Sequence, residues 1–315
     1  MAEGKKRLLT GLQSSGTLHI GNYFGALKPF VDLYGDYESF LMVADYHALT
    51  SLKDPKLVQE CIYNSVKDYL AAGVDPEKAV IFKQSDISEH TELAWIFDCL
   101  VTVPFLELGH AYKDKVAKGL EANAGLFTYP MLMAADILLY DTVIVPVGED
   151  QRQHIEYARE AAAKFNSAYG QTFIEPKEHI VKAVGTIPGT DGKKMSKSYG
   201  NTVPLFGTRD EIAKAVMSIV TDSSGDRPEN VYAMHKLLKT DEELAPLYEA
   251  NKGSYKALKE ALIEDLDTLL TPMREKRNSI TDDDVKAVLK TGAAKAKAVA
   301  SAKMEDVRKK VGVTL

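Results

Sequence analysis

Cysteine is scarce. Cys61 and Cys99 are the two in 315 residues, and they lie far apart with no CxxC pair. That excludes a disulfide scaffold, a zinc knuckle and a four-cysteine iron–sulfur site, and it points to a reducing compartment. No apolar run approaches the ~20 residues that span a bilayer. Met1 to Leu12 is partly basic but lacks an apolar stretch and a small-residue cleavage site, so no secretory signal is expected. The expected protein is soluble and cytoplasmic. An excess of either charge is also missing: 39 Lys and Arg against 45 Asp and Glu give a net charge of −6. A strongly basic nucleic-acid binder is excluded, while a local basic patch is not. Internal repeats and low-complexity tracts are absent.

What remains is an ordinary globular composition, 45% hydrophobic and 27% charged. The length exceeds what one core usually absorbs, so a large domain with a smaller one is expected. Short apolar runs at Arg7–Leu12, Ser39–Ala44, Ala79–Lys83 and Thr142–Val147 read as buried strands. Helical patterns at Ile20–Tyr34, Lys56–Ala72, Thr91–Val103 and Tyr129–Tyr140 separate them. This alternation predicts an α/β fold, a Rossmann-like parallel sheet with flanking helices, over residues 1–204. After Pro204 strand-like runs stop. Arg209–Val220, Asp241–Ala250, Tyr255–Arg274 and Asp282–Lys310 carry helical periodicity, predicting a smaller all-helical domain over 205–293. The last stretch, 294–315, is expected to pack back on the first domain.

In a parallel sheet, ligands bind beyond the carboxyl ends of the strands. Gly11-Leu12-Gln13-Ser14-Ser15-Gly16-Thr17-Leu18 leaves the first strand, and His19-Ile20-Gly21-Asn22 opens a helix. A helix start offers unpaired N–H groups and partial positive charge, which suit a phosphate. His19 and Asn22 can donate to phosphoryl oxygens, and Gly21 lets a ligand approach. Alone, the same residues are more readily read as a helix cap. A second signal is Lys194-Met195-Ser196-Lys197-Ser198, flanked by Gly189, Gly192 and Gly200. Two lysines and two serines on a glycine-flanked loop make a polyphosphate clamp, though a basic loop by itself is usually a solvated turn. Together and in this order, the two segments resemble the signature motifs of class I aminoacyl-tRNA synthetases.

Further segments narrow the likeness. Ala44-Asp45-Tyr46-His47-Ala48-Leu49-Thr50, the stretch from Tyr129 to Tyr140, and Val145-Pro146-Val147-Gly148-Glu149-Asp150-Gln151 resemble tryptophanyl-tRNA synthetases of bacterial type. The likeness runs from Leu9 to about Phe206, fades, and returns near 292–311. Beside it stands a physical reading. Tyr129, Met133, Asp136 and Tyr140 share one face of a helix. A carboxylate on an apolar face needs a partner. That partner is either a salt bridge or helix cap, or the N–H of an indole, which is a donor only. Each valine of Val145-Pro146-Val147 is as readily core packing as pocket wall.

The resemblance implies tryptophan–tRNA ligase activity: ATP with Mg2+ activates tryptophan to its adenylate, which is transferred to tRNA(Trp). It implies His19, Asn22, Lys194 and Lys197 as catalytic residues. ATP would meet Gln13, Ser14, Ser15, Gly21, Asn22, Gly148, Glu149, Asp150, Ile187, Lys194, Met195, Ser196, Lys197 and Ser198. Tryptophan would meet Leu9, Gln13, His47, Tyr129, Met133, Asp136, Val145, Val147 and Gln151. The likeness also implies a homodimer, for which residues 81–110 are the expected contact, and an anticodon role for the helical domain.

Two positions depart from the family: Ser14 stands where proline is usual, and Leu9 where many members have phenylalanine. One branch carries an iron–sulfur cluster in its helical part. This chain has no cysteine after Pro204, so neither that cluster nor zinc is expected. Lys286, Lys290, Lys295, Lys297, Lys303, Arg308, Lys309 and Lys310 make the end locally basic, which suits a phosphate backbone or simply a solvated helix. The tyrosyl sibling, a small nucleotidyltransferase and an inactive tryptophan- or RNA-binding paralogue are the rival readings.

Overall fold

A computed structural model of the protein describes residues 5–12, 18–109, 112–113, 117, 119, 122–147, 152–180, 187–221 and 227–314. Five strands form one parallel sheet: β1 (Arg7–Leu12), β2 (Glu38–Val43), β3 (Ala79–Lys83), β4 (Ile144–Val147) and β5 (Lys177–Ile180). Their order is β3-β2-β1-β4-β5. The expected α/β class is thus observed. β5 escaped the sequence reading because Lys177-Glu178-His179 has neither an apolar run nor alternation. A polar composition of this kind suits the edge place it occupies.

Helices cover the connections. α1 (Ile20–Asn22), a π-helical turn (Tyr23–Leu27) and α2 (Lys28–Leu33) follow β1. The single helix expected from Ile20 is therefore broken in its second turn. α3 (Asp45–Ala48) and α4 (Pro55–Ala71) follow β2. α5 (Glu89–Asp98), α6 (Val103–Leu106) and α7 (Ala124–Leu138) lie between β3 and β4, and α8 (Arg152–Tyr169) joins β4 to β5. α9 (Arg209–Met217), α10 (Glu229–His235), α11 (Asp241–Ala250), α12 (Tyr255–Ser279) and α13 (Asp282–Val311) complete the described chain. Among the described residues no helix is long and apolar enough to cross a membrane.

Alternation along β1 separates two cores. Leu8 belongs to the cluster with Ile20, Leu27 and Phe30, and this cluster continues into Ile212, Met234 and Leu266 of the later helices. Leu9 belongs to the opposite cluster, with Phe40, Ala134, Tyr140 and Val145. The second cluster also takes Ala296, Ala300, Met304 and Val307 of α13. α13 is one uninterrupted helix, so a boundary at residue 293 would fall inside it. Contact with the sheet already begins at Gly292, where an added Cβ would overlap the carbonyl of Ile81. Glycine there lets a helix lie directly on a strand.

Candidate active site

Strand order places a crevice between β1 and β4. From β1 the chain proceeds to β2 and β3 on one side and later to β4 and β5 on the other, so the connections diverge here. β1 pairs with β2 at six positions from Arg7 to Leu12, but with β4 only as Leu8 opposite Ile144. Pro146, which has no N–H, adds no donor to the β4 ladder. The strands therefore part toward their carboxyl ends.

His19 sits at this end as the cap of α1. Its Nδ1 accepts from the Asn22 amide at 3.2 Å, while the Asn22 side-chain oxygen accepts from the His19 amide at 3.1 Å. The capping alternative is thus realised. It does not exclude ligand binding: a ring accepting at Nδ1 carries its hydrogen on Nε2. Burial, with help from the Lys197 ammonium, lowers the His19 pKa to about 4. The ring is a neutral donor at pH 7.

The second motif is bound to the first. Ile20 N–H donates to Val203 at 3.0 Å, and Leu205 N–H donates to Leu18 at 3.1 Å. Ile187 and Met195 pair by backbone (2.9 Å), closing the loop, and both are buried. Met195 reaches back to the helix: a Cβ on Gly21 would lie 3.2 Å from its Sδ and 2.8 Å from His19 Nδ1. Gly21 is required by this close approach. Asn201, buried, braces the turn. Its Oδ1 accepts from the Ser196 amide (2.8 Å), and its Nδ2 donates to Asp191 (2.6 Å) and to the Lys194 carbonyl (3.1 Å). Lys194 and Lys197 remain at the surface of the loop. The Lys197 ammonium has a lowered pKa, chiefly from partial desolvation, opposed by Cys61 and Asp68.

On the other side of β1, Asp136 of α7 is 2% exposed. Oδ2 faces His47 Nε2 at 2.8 Å, Oδ1 faces His90 Nδ1 at 2.6 Å, and Gln84 Nε2 donates at 2.8 and 3.0 Å. Burial would raise the Asp136 pKa, but His90 and His47 outweigh it and hold the carboxyl at about 2. The His47 ring lies 6.2 Å from that of Tyr129, whose hydroxyl bonds His154 at 2.7 Å. Leu9 and Val145 are buried in the same cluster, and Met133 packs against it half-buried.

Gln13, Ser14, Ser15, Gly148, Glu149, Asp150 and Gln151 lie outside the described residues, as do the side chains of Val147 and Ser198. The remaining expected residues form two groups across β1: His19, Gly21, Asn22, Ile187 and Lys194–Lys197 on one side, Leu9, His47, Tyr129, Met133, Asp136 and Val145 on the other. Sequence reading missed Gln84, His90 and Asn201. The first two follow the carboxyl end of β3, a position where polar residues could have been flagged.

The family model for class I tRNA synthetases (W and Y) matches residues 1–298. The chain is 46% identical to the tryptophan–tRNA ligase of Fusobacterium nucleatum over 319 residues, 98% of each chain. It is 44% identical to that of Rhodopirellula baltica, over 98% of this chain and 99% of the other. The chain belongs to the tryptophanyl-tRNA synthetase family. The tryptophanyl-tRNA synthetase of Campylobacter jejuni, solved with ADP and tryptophan, superposes with a TM-score of 0.89 at 42% identity, covering 97% of this chain and 99% of that one. A tyrosyl-tRNA synthetase from Archaeoglobus fulgidus shares the fold at 19% identity.

Within this tryptophanyl-tRNA synthetase fold the basic C-terminal helix is largely engaged in ion pairs. Lys297 pairs with Glu89, Lys303 with Asp141, Arg308 with Glu92, Lys310 with Asp306 and Lys286 with Asp283. These contacts tie α13 to itself and to the sheet domain, so the basic run has a structural use.

Proposed function

We propose that this chain is a tryptophan–tRNA ligase, an ATP-dependent enzyme that forms tryptophanyl-adenylate and then charges tRNA(Trp). The observation that carries the reading is Asp136: an ionised, acceptor-only carboxylate in an apolar cluster, across β1 from the phosphate-suited helix start. An indole N–H is the donor such a group selects. Phenylalanine would leave the carboxylate buried against a ring with no donor, which discriminates strongly. The solved relative that holds ADP and tryptophan together supports a nucleotide and an amino acid sharing this crevice.

In this reading the tryptophan carboxylate attacks the α-phosphorus of ATP in line, and pyrophosphate leaves. No enzyme nucleophile is required; positioning and neutralisation of charge supply the rate. His19 donates through Nε2 and Asn22 stands beside it at the helix start. Gly21 admits the nucleotide. Lys194 and Lys197 meet charge developing on pyrophosphate, with Ile187, Met195, Ser196 and Ser198 shaping the loop and Mg2+ arriving on the ATP. Gln13, Ser14, Ser15, Gly148, Glu149 and Asp150 complete the nucleotide side. Leu9, His47, Tyr129, Met133, Val145, Val147 and Gln151 enclose the amino acid with Gln13 and Asp136. The 2′-hydroxyl of the terminal adenosine of tRNA then attacks the tryptophanyl carbonyl, and AMP leaves.

The sheet domain is the catalytic unit and α9–α12 the anticodon-facing unit. We assign a homodimer contact to residues 81–110, where Trp95 is 70% exposed and Val103 and Leu108 are exposed as well. A cytoplasmic location follows from the reaction proposed.

The test is ATP–pyrophosphate exchange with each standard amino acid, without tRNA. Exchange with tryptophan is expected and should lose its selectivity in Asp136→Ala. Exchange with tyrosine would overturn the substrate assignment. Binding of tryptophan without any exchange would overturn the activity.

A further inference from the structure

Behind Asp136 lies a closed polar cluster that the proposed reaction does not use. Gln84, His90 and Tyr140 are fully buried. They come from the turn after β3, α5 and the turn after α7; Gln84 and His90 meet the Asp136 carboxylate, and Tyr140 meets His90. His90 Nδ1 is 2.6 Å from Oδ1, and Gln84 Nε2 donates to Oδ1 at 2.8 Å. The Tyr140 hydroxyl lies 2.9 Å from His90 Nε2. An ionised carboxylate can only accept, so His90 must carry its hydrogen on Nδ1. Nε2 of the same ring faces the Tyr140 hydroxyl, which holds the ring in this orientation. Phe82 stacks on the His90 ring at 6.1 Å and 23°, which limits its rotation.

The third partner of the carboxylate is different in kind. His47 contacts Oδ2, and its side chain is 15% accessible against 0% for His90. Oδ1 is held by His90 and Gln84, both buried, whereas Oδ2, which Gln84 also reaches at 3.0 Å, faces the more accessible His47. Loss of the buried donors would free the carboxylate to rotate and would leave it short of partners in a low-dielectric site.

We infer that His90 and Gln84 are positioning residues that fix Asp136 with Oδ2 toward the crevice, and that Tyr140 holds the His90 ring in place for this task. Selection for a ring bearing an N–H is then built in the layer behind the pocket. The inference rests on the reading of Asp136 as acceptor for the indole N–H.

The test compares kcat/KM in ATP–pyrophosphate exchange for tryptophan and for the benzothiophene analogue, in which sulfur replaces the indole N–H. It uses the wild type, His90→Leu, His90→Asn and Tyr140→Phe. Wild-type protein should prefer tryptophan. His90→Leu should cut that preference about tenfold or more, and His90→Asn, whose amide can donate near the Nδ1 position, should restore most of it. Tyr140→Phe should cut it less. A merely structural role would slow both substrates alike, so an unchanged preference in His90→Leu and Tyr140→Phe overturns the proposal. Should His90→Leu fail to fold, Tyr140→Phe, which removes a single oxygen, decides the matter. Absence of any preference in the wild type would instead overturn the reading of Asp136 on which this rests.

Discussion

The amide of Ile20 donates to the carbonyl of Val203 at 3.0 Å, and so joins the first turn of the His19–Asn22 helix to the segment that leaves the lysine loop. Two motifs separated by about 170 residues of chain thus share a backbone hydrogen bond. Met195 over Gly21 makes the same connection through side chains. A substitution in either motif therefore acts on the contact that the two share.

Lys197→Ala should lower kcat in pyrophosphate exchange about 100-fold, because the ammonium meets charge that develops in the transition state. The KM for tryptophan, bound across β1, should change by no more than about threefold. Steady-state kinetics with each substrate varied checks this. Equal losses in both parameters would remove the role given to Lys197.

His19 should make stability depend on pH. Its folded pKa is about 4, below the ordinary 6.5, so between these values the unfolded chain binds more protons than the folded one. Its contribution is present in full above pH 6.5 and is lost as pH falls toward 4. Urea midpoints between pH 7.5 and 5 should show this fall. His19→Asn, which keeps a capping side chain, should show a shallower one.

Arg277 of α12 places its Nε 2.5 Å from Asp68 of α4, and its Nη2 2.8 Å from Asn64. Burial raises the Asp68 pKa to about 6, against the pull of Arg277, and the carboxylate also meets the backbone of Leu18 beside His19. Arg277→Met would strand this buried charge, at a cost of about 3 kcal/mol. Adding Asp68→Asn should recover much of the loss. Chemical denaturation of the single and double variants measures both values.

Gly292→Ala should be among the most damaging single-methyl additions. The new Cβ would overlap the Ile81 carbonyl, and backbone cannot yield as a side-chain tip can. Displacing α13 from β3 would cost about 2–3 kcal/mol. A thermal or urea midpoint indistinguishable from wild type would show that the helix can shift freely.

Much of the fold could be read directly. The runs Arg7–Leu12 and Ala79–Lys83 became β1 and β3 because strands buried on both faces are continuously apolar. β5 could not be seen, since Lys177-Glu178-His179 offers no apolar run, unlike β3 at the opposite edge. The break of the first helix into a π-helical turn at Tyr23–Leu27 was equally silent, because the apolar pattern continues through it. The helix α10 was too short to announce itself by periodicity. Basic residues of the last helix pointed toward phosphate, but their acidic partners come from Glu89, Glu92 and Asp141, which are distant in sequence.

The sequence by itself determined the family and the chemistry on offer: a histidine and an asparagine at a helix start, two lysines on a glycine-flanked loop, and one aspartate on an apolar helix face. Those are local properties of residue type and spacing. Only the tertiary structure decided how the groups are held, because contacts among distant residues leave no local pattern. It placed Val203 on Ile20, gave Asp136 three donors from β3's end, α3 and α5, and seated Gly292 on Ile81. A lone Asp136 could be written from its helix. Its ionised state could not, since that depends on His90 and His47, which are brought to it only when the sheet closes.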